Sequence, residues 1–533
     1  MTIYDWGNGR IYGTSQAEVL AEGVYDHLVG DPPNQTTEYE RFNEIYGAEG
    51  DDTIYGGNAV SIVGYDYNYD GGDYLHGGDG NDTIYGSGGN DELWGDLGDD
   101  ILWGGDGDDV LMDEDTTGAD TLWGEAGSDL LYSTGGGDTL HGGDDNDVFE
   151  MYAADVVAFG DEGDDLLVAA INAAAVTGAF HGGNGIDTLR VTGSSDYSGA
   201  IFDQIEHLTL TNKNTNAFTS AKLNGFVDVA GISGVLGIDA NYVKVAVTDA
   251  GSIGSNFTGN LGGVVVASAS GNTITLGHTA GDWSITGSST ADTITTGSGN
   301  DTVYGSGGAD TVHGGTGNDT LRDDDIDGAD TFWGDAGADL LFSTGGGDTL
   351  HGGDDDDTLQ FYSADVVAYG DAGNDLFIEG ANSSGLTATY DGGDGDDTLR
   401  AESGSNFVGT TISAIEHLRL TSRSTNTFTA AQLNGFVDVA GISGVPGVDE
   451  NRVRVVIADV GTVGDNFTAN LGGELTTSAA GNTVDLGHTT RAWWVAGNSG
   501  SDLVTTGSGD DTIHAAGGAD TVFGGDGDDT LYD

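Results

Sequence analysis

Residues 77–112 read GGDGNDTIY, GSGGNDELW, GDLGDDILW, GGDGDDVLM, four nonapeptides in succession without a gap. The sixth place is aspartate each time (Asp82, Asp91, Asp100, Asp109), and the eighth is aliphatic (Ile84, Leu93, Leu102, Leu111). A nine-residue unit cannot fold alone, so it must stack on its neighbours, and stacking brings the aspartates together. Glycines at the first, second and fourth places permit backbone angles that other residues avoid, which predicts a turn with inward carbonyl oxygens. Two nonapeptides make one coil. Stacked partners then stand 18 residues apart: Asp82 with Asp100, Asp91 with Asp109, Asp301 with Asp319, Asp511 with Asp529. The aliphatic eighth place points into a narrow core.

The composition agrees. The 533 residues hold 89 acidic and 13 basic groups, a formal charge of −76, with 96 glycines and no cysteine. Such a charge must be offset by bound cations or the compact state repels itself. Nucleic acid and anionic membrane are excluded as partners, and no apolar run is long enough for membrane insertion. Without cysteine there is no disulfide framework and no thiol metal site.

A larger repeat has an offset of 210 residues: STGGGDTLHGGDD stands at 133–145 and 343–355, GFVDVAGISGV at 225–235 and 435–445. The organisation expected is a cap or docking segment (1–46), a first motif-rich segment (47–113), and two full blocks (114–323 and 324–533). Residues 1–46 are aromatic-rich and contain a helix-compatible run, SQAEVLAEGVYDHL; a second irregular insertion occupies 58–70. Within the blocks, stretches near 191–287 and 401–497 lack aspartate turns and are rich in Val, Ile and Thr, which favour strands. Short apolar runs at Val243–Val247, Val264–Val266, Thr273–Leu276, Trp283–Thr286 and Asp292–Thr295 read as metal-free rungs of the same parallel solenoid. Ten of the 13 basic residues lie at 190–244 or 400–491, where turns without bound cations tolerate positive charge.

The turn chemistry points to calcium, a hard cation taking six to eight oxygen ligands. One turn supplies too few oxygens, so two stacked turns must share each ion. At this point the chain resembles the RTX (repeats-in-toxin) family. The resemblance implies an all-β fold, an elongated parallel β-solenoid in which calcium β-roll segments alternate with metal-free rungs. It also implies that sixth-place aspartates are ligands. Carried over residue by residue, these are Asp52, Asp82, Asp91, Asp100, Asp109, Asp129, Asp138, Asp147, Asp165 and Asp187 in the first part of the chain. They continue with Asp292, Asp301, Asp310, Asp319, Asp339, Asp348, Asp357, Asp375, Asp397, Asp502, Asp511, Asp520 and Asp529. Asp120 and Asp330, in altered turns with two extra residues, are carried over as ligands as well. Asp155 and Asp365 lack the glycines, and no calcium is expected there. About 25 usable turns sharing ions imply on the order of twenty calcium ions, which would cancel roughly half of the net charge.

The ninth place carries aromatics: Tyr55, Tyr85, Trp94, Trp103, Trp123, Tyr132, Tyr304, Trp333 and Phe342. Neighbours of an inward residue point outward, so an exposed aromatic row is expected. Two readings stay open: contact with another copy or with sugar rings, and packing under a loop of the same chain such as 58–70. His76, His141, His181, His313 and His351 stand before Gly-Gly and read as exposed strand ends, since they lack paired transition-metal spacing.

There is no H-E-x-x-H and no G-x-S-x-G. Repetition argues against an active site, which needs one unique constellation, so no enzyme is expected within these residues. The N-terminus lacks the basic and apolar regions of a signal peptide. Export without one, folding outside the cell on millimolar calcium, and an extracellular or bacterial cell-surface location are the expectation. RTX-like proteins of this kind typically use type I secretion; DDTLYD shows no recognisable signal for it. The chain ends at Asp533, in phase with Asp113 and Asp323, where another block would begin; either the protein continues or this coil meets another molecule. The function expected is a calcium-dependent structural protein that assembles with copies of itself, head-to-tail or laterally, into a surface layer, matrix or filament. Cell-surface glycan is a further partner to consider. The alternatives are a calcium-stiffened adhesin stalk and the calcium-binding region of a secreted enzyme or toxin.

Overall fold

A computed structural model describes residues 3–5, 10–12, 19–21, 44–49, 53–55 and 72–533, apart from 212, 233–238, 268–270, 327, 382–383, 422, 444–448 and 479–480. Within these residues the fold is nearly all-β and built of short parallel strands. Strands pair with the strand two along rather than the next. Thr83–Gly88 lies on Ile101–Asp106 with Ile84 opposite Leu102 and Tyr85 opposite Trp103, which is the coil of two nonapeptides.

The chain divides into two compact units, Met1–Thr248 with Asn256–Gly263, and Asp249–Ser255 with Val264–Asp533. In the first unit a 12-stranded sheet runs from Ile3–Asp5 to Asp228–Gly231, and a 9-stranded sheet from Val19–Ala21 to Ile201–Asp203. Alternate strands of the chain go to alternate sheets. In the second unit one sheet runs through Trp283–Thr286 to Asp438–Gly441 and a 9-stranded sheet from Ser252–Ile253 to Thr411–Ser413. A 6-stranded and a 4-stranded sheet follow, ending at Thr530–Tyr532 and Thr521–Phe523.

The side-chain period of two fixes the core. In Thr83–Gly88 and Glu92–Leu97 buried and half-buried positions alternate at the start of each strand. The eighth-place residues Ile84, Leu93, Leu102 and Leu111 are fully buried, and Leu122, Leu131 and Leu140 continue the column. Each contributes about 1.5–3 kcal/mol of burial.

The aspartate-poor stretches are rungs of the same kind, with strands at Tyr242–Val247, Thr273–Thr275 and Trp283–Thr286. Aromatic rings enlarge their core: Tyr197 stacks on Phe218 at 5.3 Å, and Phe407 on Phe428 at 4.5 Å. Each stretch also holds a short helix, Ser220–Leu223 and Ala430–Gly435. The second starts at a reciprocal cap between Thr429 and Gln432, which satisfies two helix-end donors. Sequence periodicity did not show these helices because each is shorter than two turns.

The leader differs from expectation where it is described. Inside the helix-compatible run, Val19–Ala21 is a strand paired in parallel with Thr53–Tyr55. Arg10–Tyr12 pairs with Glu44–Glu49, and Ile3–Asp5 adds to it antiparallel. Sheet pairing outweighs helix propensity here, and these strands lie on the chain's own first coil. The 58–70 insertion lies outside the described residues.

Candidate metal centres in the turns

The turns are held by carboxylate ladders. Each sixth-place aspartate accepts, through Oδ1, the backbone N–H one coil earlier. In the first unit Asp73 donates to Asp91 at 2.7 Å, Asp91 to Asp109 at 2.8 Å, and Asp109 to Asp129 at 2.7 Å. The series continues through Asp147, Asp165 and Asp187, each bond 2.8 Å. It closes on Glu206, which accepts from Asp187 at 2.9 Å. A second ladder joins Asp82, Asp100, Asp120 and Asp138.

The second unit repeats the plan. Trp283 starts a ladder through Asp301, Asp319, Asp339, Asp357, Asp375 and Asp397 that closes on Glu416. Asn272 starts the other, through Asp292, Asp310, Asp330 and Asp348. A last pair joins Trp493, Asp511 and Asp529, and Asn482, Asp502 and Asp520. Asp52 lies outside the described residues. Asp155 and Asp365 are exposed.

The second carboxylate oxygen faces inward. In Asp109, Asp129, Asp147, Asp165, Asp187, Asp310, Asp319, Asp339, Asp357, Asp375 and Asp397, Oδ2 is buried without a hydrogen-bond partner. A buried oxygen left in this way is costly unless something positive meets it. The first-place glycines show where. A Cβ on Gly104 would lie 2.3 Å from Asp109 Oδ2 and 2.8 Å from the Gly124 carbonyl oxygen; on Gly334 it would lie 2.3 Å from both Asp339 Oδ2 and the Gly352 oxygen. The space a side chain would fill is lined by a carboxylate and a carbonyl from adjacent turns, a hard-oxygen cradle that fits calcium. When bound there, the ion supplies the positive charge these oxygens lack.

This corrects the reading of the glycines. The second and fourth places do use left-handed backbone (Gly78 φ 106°, Gly80 φ 143°), but the first place does not. Its glycine is needed because a Cβ would collide with the oxygens.

Burial and crowding also set the protonation of the ladders. Burial, opposed by the donated N–H and reinforced by neighbouring carboxylates, pushes Asp100, Asp109, Asp147 and Asp357 up to about 8. Asp310, Asp319, Asp339 and Asp375 rise to about 7 for the same reasons. The inward oxygens of Asp292 and Asp502 are not left open, since their Oδ2 atoms accept from the N–H of Ser288 (2.6 Å) and Asn498 (3.1 Å) in their own turns.

Sequence reasoning missed several members. Asp73 was hidden by the 58–70 insertion beside it. Asp113 and Asp323 stand where the first glycine belongs, and an aspartate repeated there at the 210-residue offset was the available signal. The fifth-place Asn or Asp forms an outer ladder, with Asp108 donating to Asn90 at 3.1 Å and Ser128 to Asp108 at 3.0 Å.

Apart from Tyr55, whose side chain lies outside the described residues, the ninth-place aromatics are half-buried, and most of them join ring stacks. Tyr85, Trp103, Trp123, His141, Phe159 and His181 form one continuous row, with Trp123 and His141 centred 3.7 Å apart. In the second unit the row is His313, Trp333, His351 and Tyr369. The histidines are therefore ring members, not bare strand ends. Their Nδ1 atoms face aspartates one coil on: His141 to Asp161 at 3.2 Å, His351 to Asp371 at 3.0 Å.

The stacked coils and all-oxygen turns define a calcium β-roll. The family model of the RTX calcium-binding nonapeptide repeat (4 copies) matches residues 40–59, 67–102, 88–112, 114–149, 286–321, 326–359, 389–408 and 496–531. With the β-solenoid, these repeats fit an RTX calcium-binding β-roll protein, and they imply calcium binding and a secreted, extracellular protein. Asp165, Asp187 and Asp375 fall outside the matched segments yet belong to the same ladders. No curated protein matches the chain.

Proposed function

We propose that the chain is a non-catalytic, calcium-dependent structural protein that assembles laterally with copies of itself into a surface layer, matrix or filament outside the cell. The observation that carries this reading is the continuous row from Tyr85 to His181. Strand spacing gives such a row a period of about 4.8 Å. A periodic, half-buried aromatic surface suits another surface of the same period, and large apolar patches mark contacts. Repetition of one construction in both blocks supports a structural role, because catalysis uses a single unique constellation. The leader's pairing with its own coil favours lateral over leader-mediated contact.

Electron microscopy of the protein in calcium and in chelator tests the proposal. Ordered polymers in calcium that are lost in Trp103→Ala/Trp123→Ala are expected. Isolated particles in saturating calcium would sink it and leave the adhesin-stalk or enzyme-region reading.

A further inference from the structure

Two turns depart from the regular cradle in the same way. In the first, carboxylate oxygens of Asp113, Asp120 and Asp138 lie within 4.8 Å of one another; in the second, those of Asp323, Asp330 and Asp348 do. All six residues are buried, none more than 3% exposed. A regular cradle draws one Oδ2 and a glycine carbonyl to the space beside a first-place glycine. Here the first place is itself an aspartate, and its carboxylate joins those of two stacked sixth-place aspartates.

The surrounding bonds hold the three carboxylates in place. Asp113 Oδ1 accepts from the Asp115 N–H at 2.9 Å, and Asp120 Oδ1 from the Asp100 N–H at 2.5 Å. Asp138 accepts from the Asp120 N–H at 3.0 Å and from Ser133 Oγ at 2.5 Å. Asp113 Oδ2 has no hydrogen-bond donor although the residue is 2% exposed. The groups facing it are acids that repel it, Asp120 and Asp138. In the second cluster Thr344 N–H donates to Asp323 Oδ2 at 3.0 Å and Ser343 Oγ to Asp348 at 2.5 Å. Three buried carboxylates meeting in one turn need a cation more than a regular turn does, and in the first cluster one of their oxygens stays unmet.

We infer that Asp113, Asp120 and Asp138, and likewise Asp323, Asp330 and Asp348, form two tri-carboxylate sites for a hard divalent cation, one per block, that fill before the regular turns. Their affinity exceeds that of the regular turns because affinity for calcium rises with ligand charge. This rests on the calcium reading of the turns but adds an order of filling to it.

Isothermal titration of the full chain with calcium, and with terbium read by luminescence, tests the inference. The wild type should show two ions at least about tenfold tighter than the rest. Asp113→Asn with Asp323→Asn should abolish this class while later ions still bind; either substitution alone should leave one tight ion. Asp113→Gly with Asp323→Gly, which restores the regular glycine, should give the same loss, with circular dichroism in saturating calcium confirming the fold. Asp109→Asn, in a regular turn, should spare the tight class. A single class of sites in the wild type, or a tight class that survives both double variants, would overturn the inference. Absence of any calcium binding would instead overturn the calcium reading of all the turns.

Discussion

Asp109 and Gly98 show how much one residue decides. Asp109 spends one oxygen on the Asp91 N–H at 2.8 Å and turns the other, without a partner, toward the cradle. Gly98 has φ +149°, and a Cβ there would lie 1.6 Å from the Gly80 carbonyl oxygen. Coils that must stack at hydrogen-bond distance leave no room for a methyl group. Gly98→Ala is therefore expected to cost about 2–4 kcal/mol even in saturating calcium. Denaturant unfolding of the variant measures this, and wild-type stability would refute it. The second place is substituted more often, as by Asp96 at φ 68°; the fourth takes aspartate only where the backbone shifts to φ 76° and 78°, at Asp145 and Asp355. The sequence shows this difference in substitution at the two places, but the colliding oxygen is seen only once the coils are stacked.

The ladders behave as elements because each aspartate bonds to the one before it. Their carboxyls, ordinarily near 4, are raised by burial and mutual repulsion to about 8 at Asp100, Asp109 and Asp147. Without metal, the folded state binds more protons than the unfolded state between those values. The protonation contribution to stability is thus full below about pH 4 and lost as pH rises through about 8. Calcium-free protein is expected to gain β-structure on acidification from about pH 8 to 5, while calcium affinity falls over the same window as protons compete. Circular dichroism and calcium titration across that range check both trends; a flat calcium-free signal would contradict the first. The ladder itself was legible from the separation of 18 residues. Its closures on Glu206 and Glu416 were not, because there a glutamate outside any nonapeptide replaces the sixth-place aspartate.

At the scale of the molecule, a formal charge of −76 opposes folding through self-repulsion, on top of the chain entropy that every fold must overcome. Bound calcium offsets it at the turns, and the aromatic rungs hold their stretches by apolar burial. Chelation should therefore remove most of the β-structure, calcium should restore it, and monovalent salt should compensate only in part, since screening does not meet the buried oxygens. Far-ultraviolet circular dichroism in chelator, with and without salt, reads this directly. Unchanged β-structure in chelator would refute it.

The sequence by itself determined the coil of two nonapeptides, the eighth-place core, the sixth-place ladder and the duplicated blocks. These depend on contacts between neighbours at a constant separation, so a local period carries them. Tertiary structure decided what a constant period cannot express. Asp113 meets Asp120 and Asp138 across a lengthened turn. His141 slots between Trp123 and Phe159, and Val19–Ala21 becomes a strand once Thr53–Tyr55 lies beside it. The nonapeptide of the opening stretch specifies how one coil sits on the next; insertions shift which residues meet, and only the stacked coils show which they are.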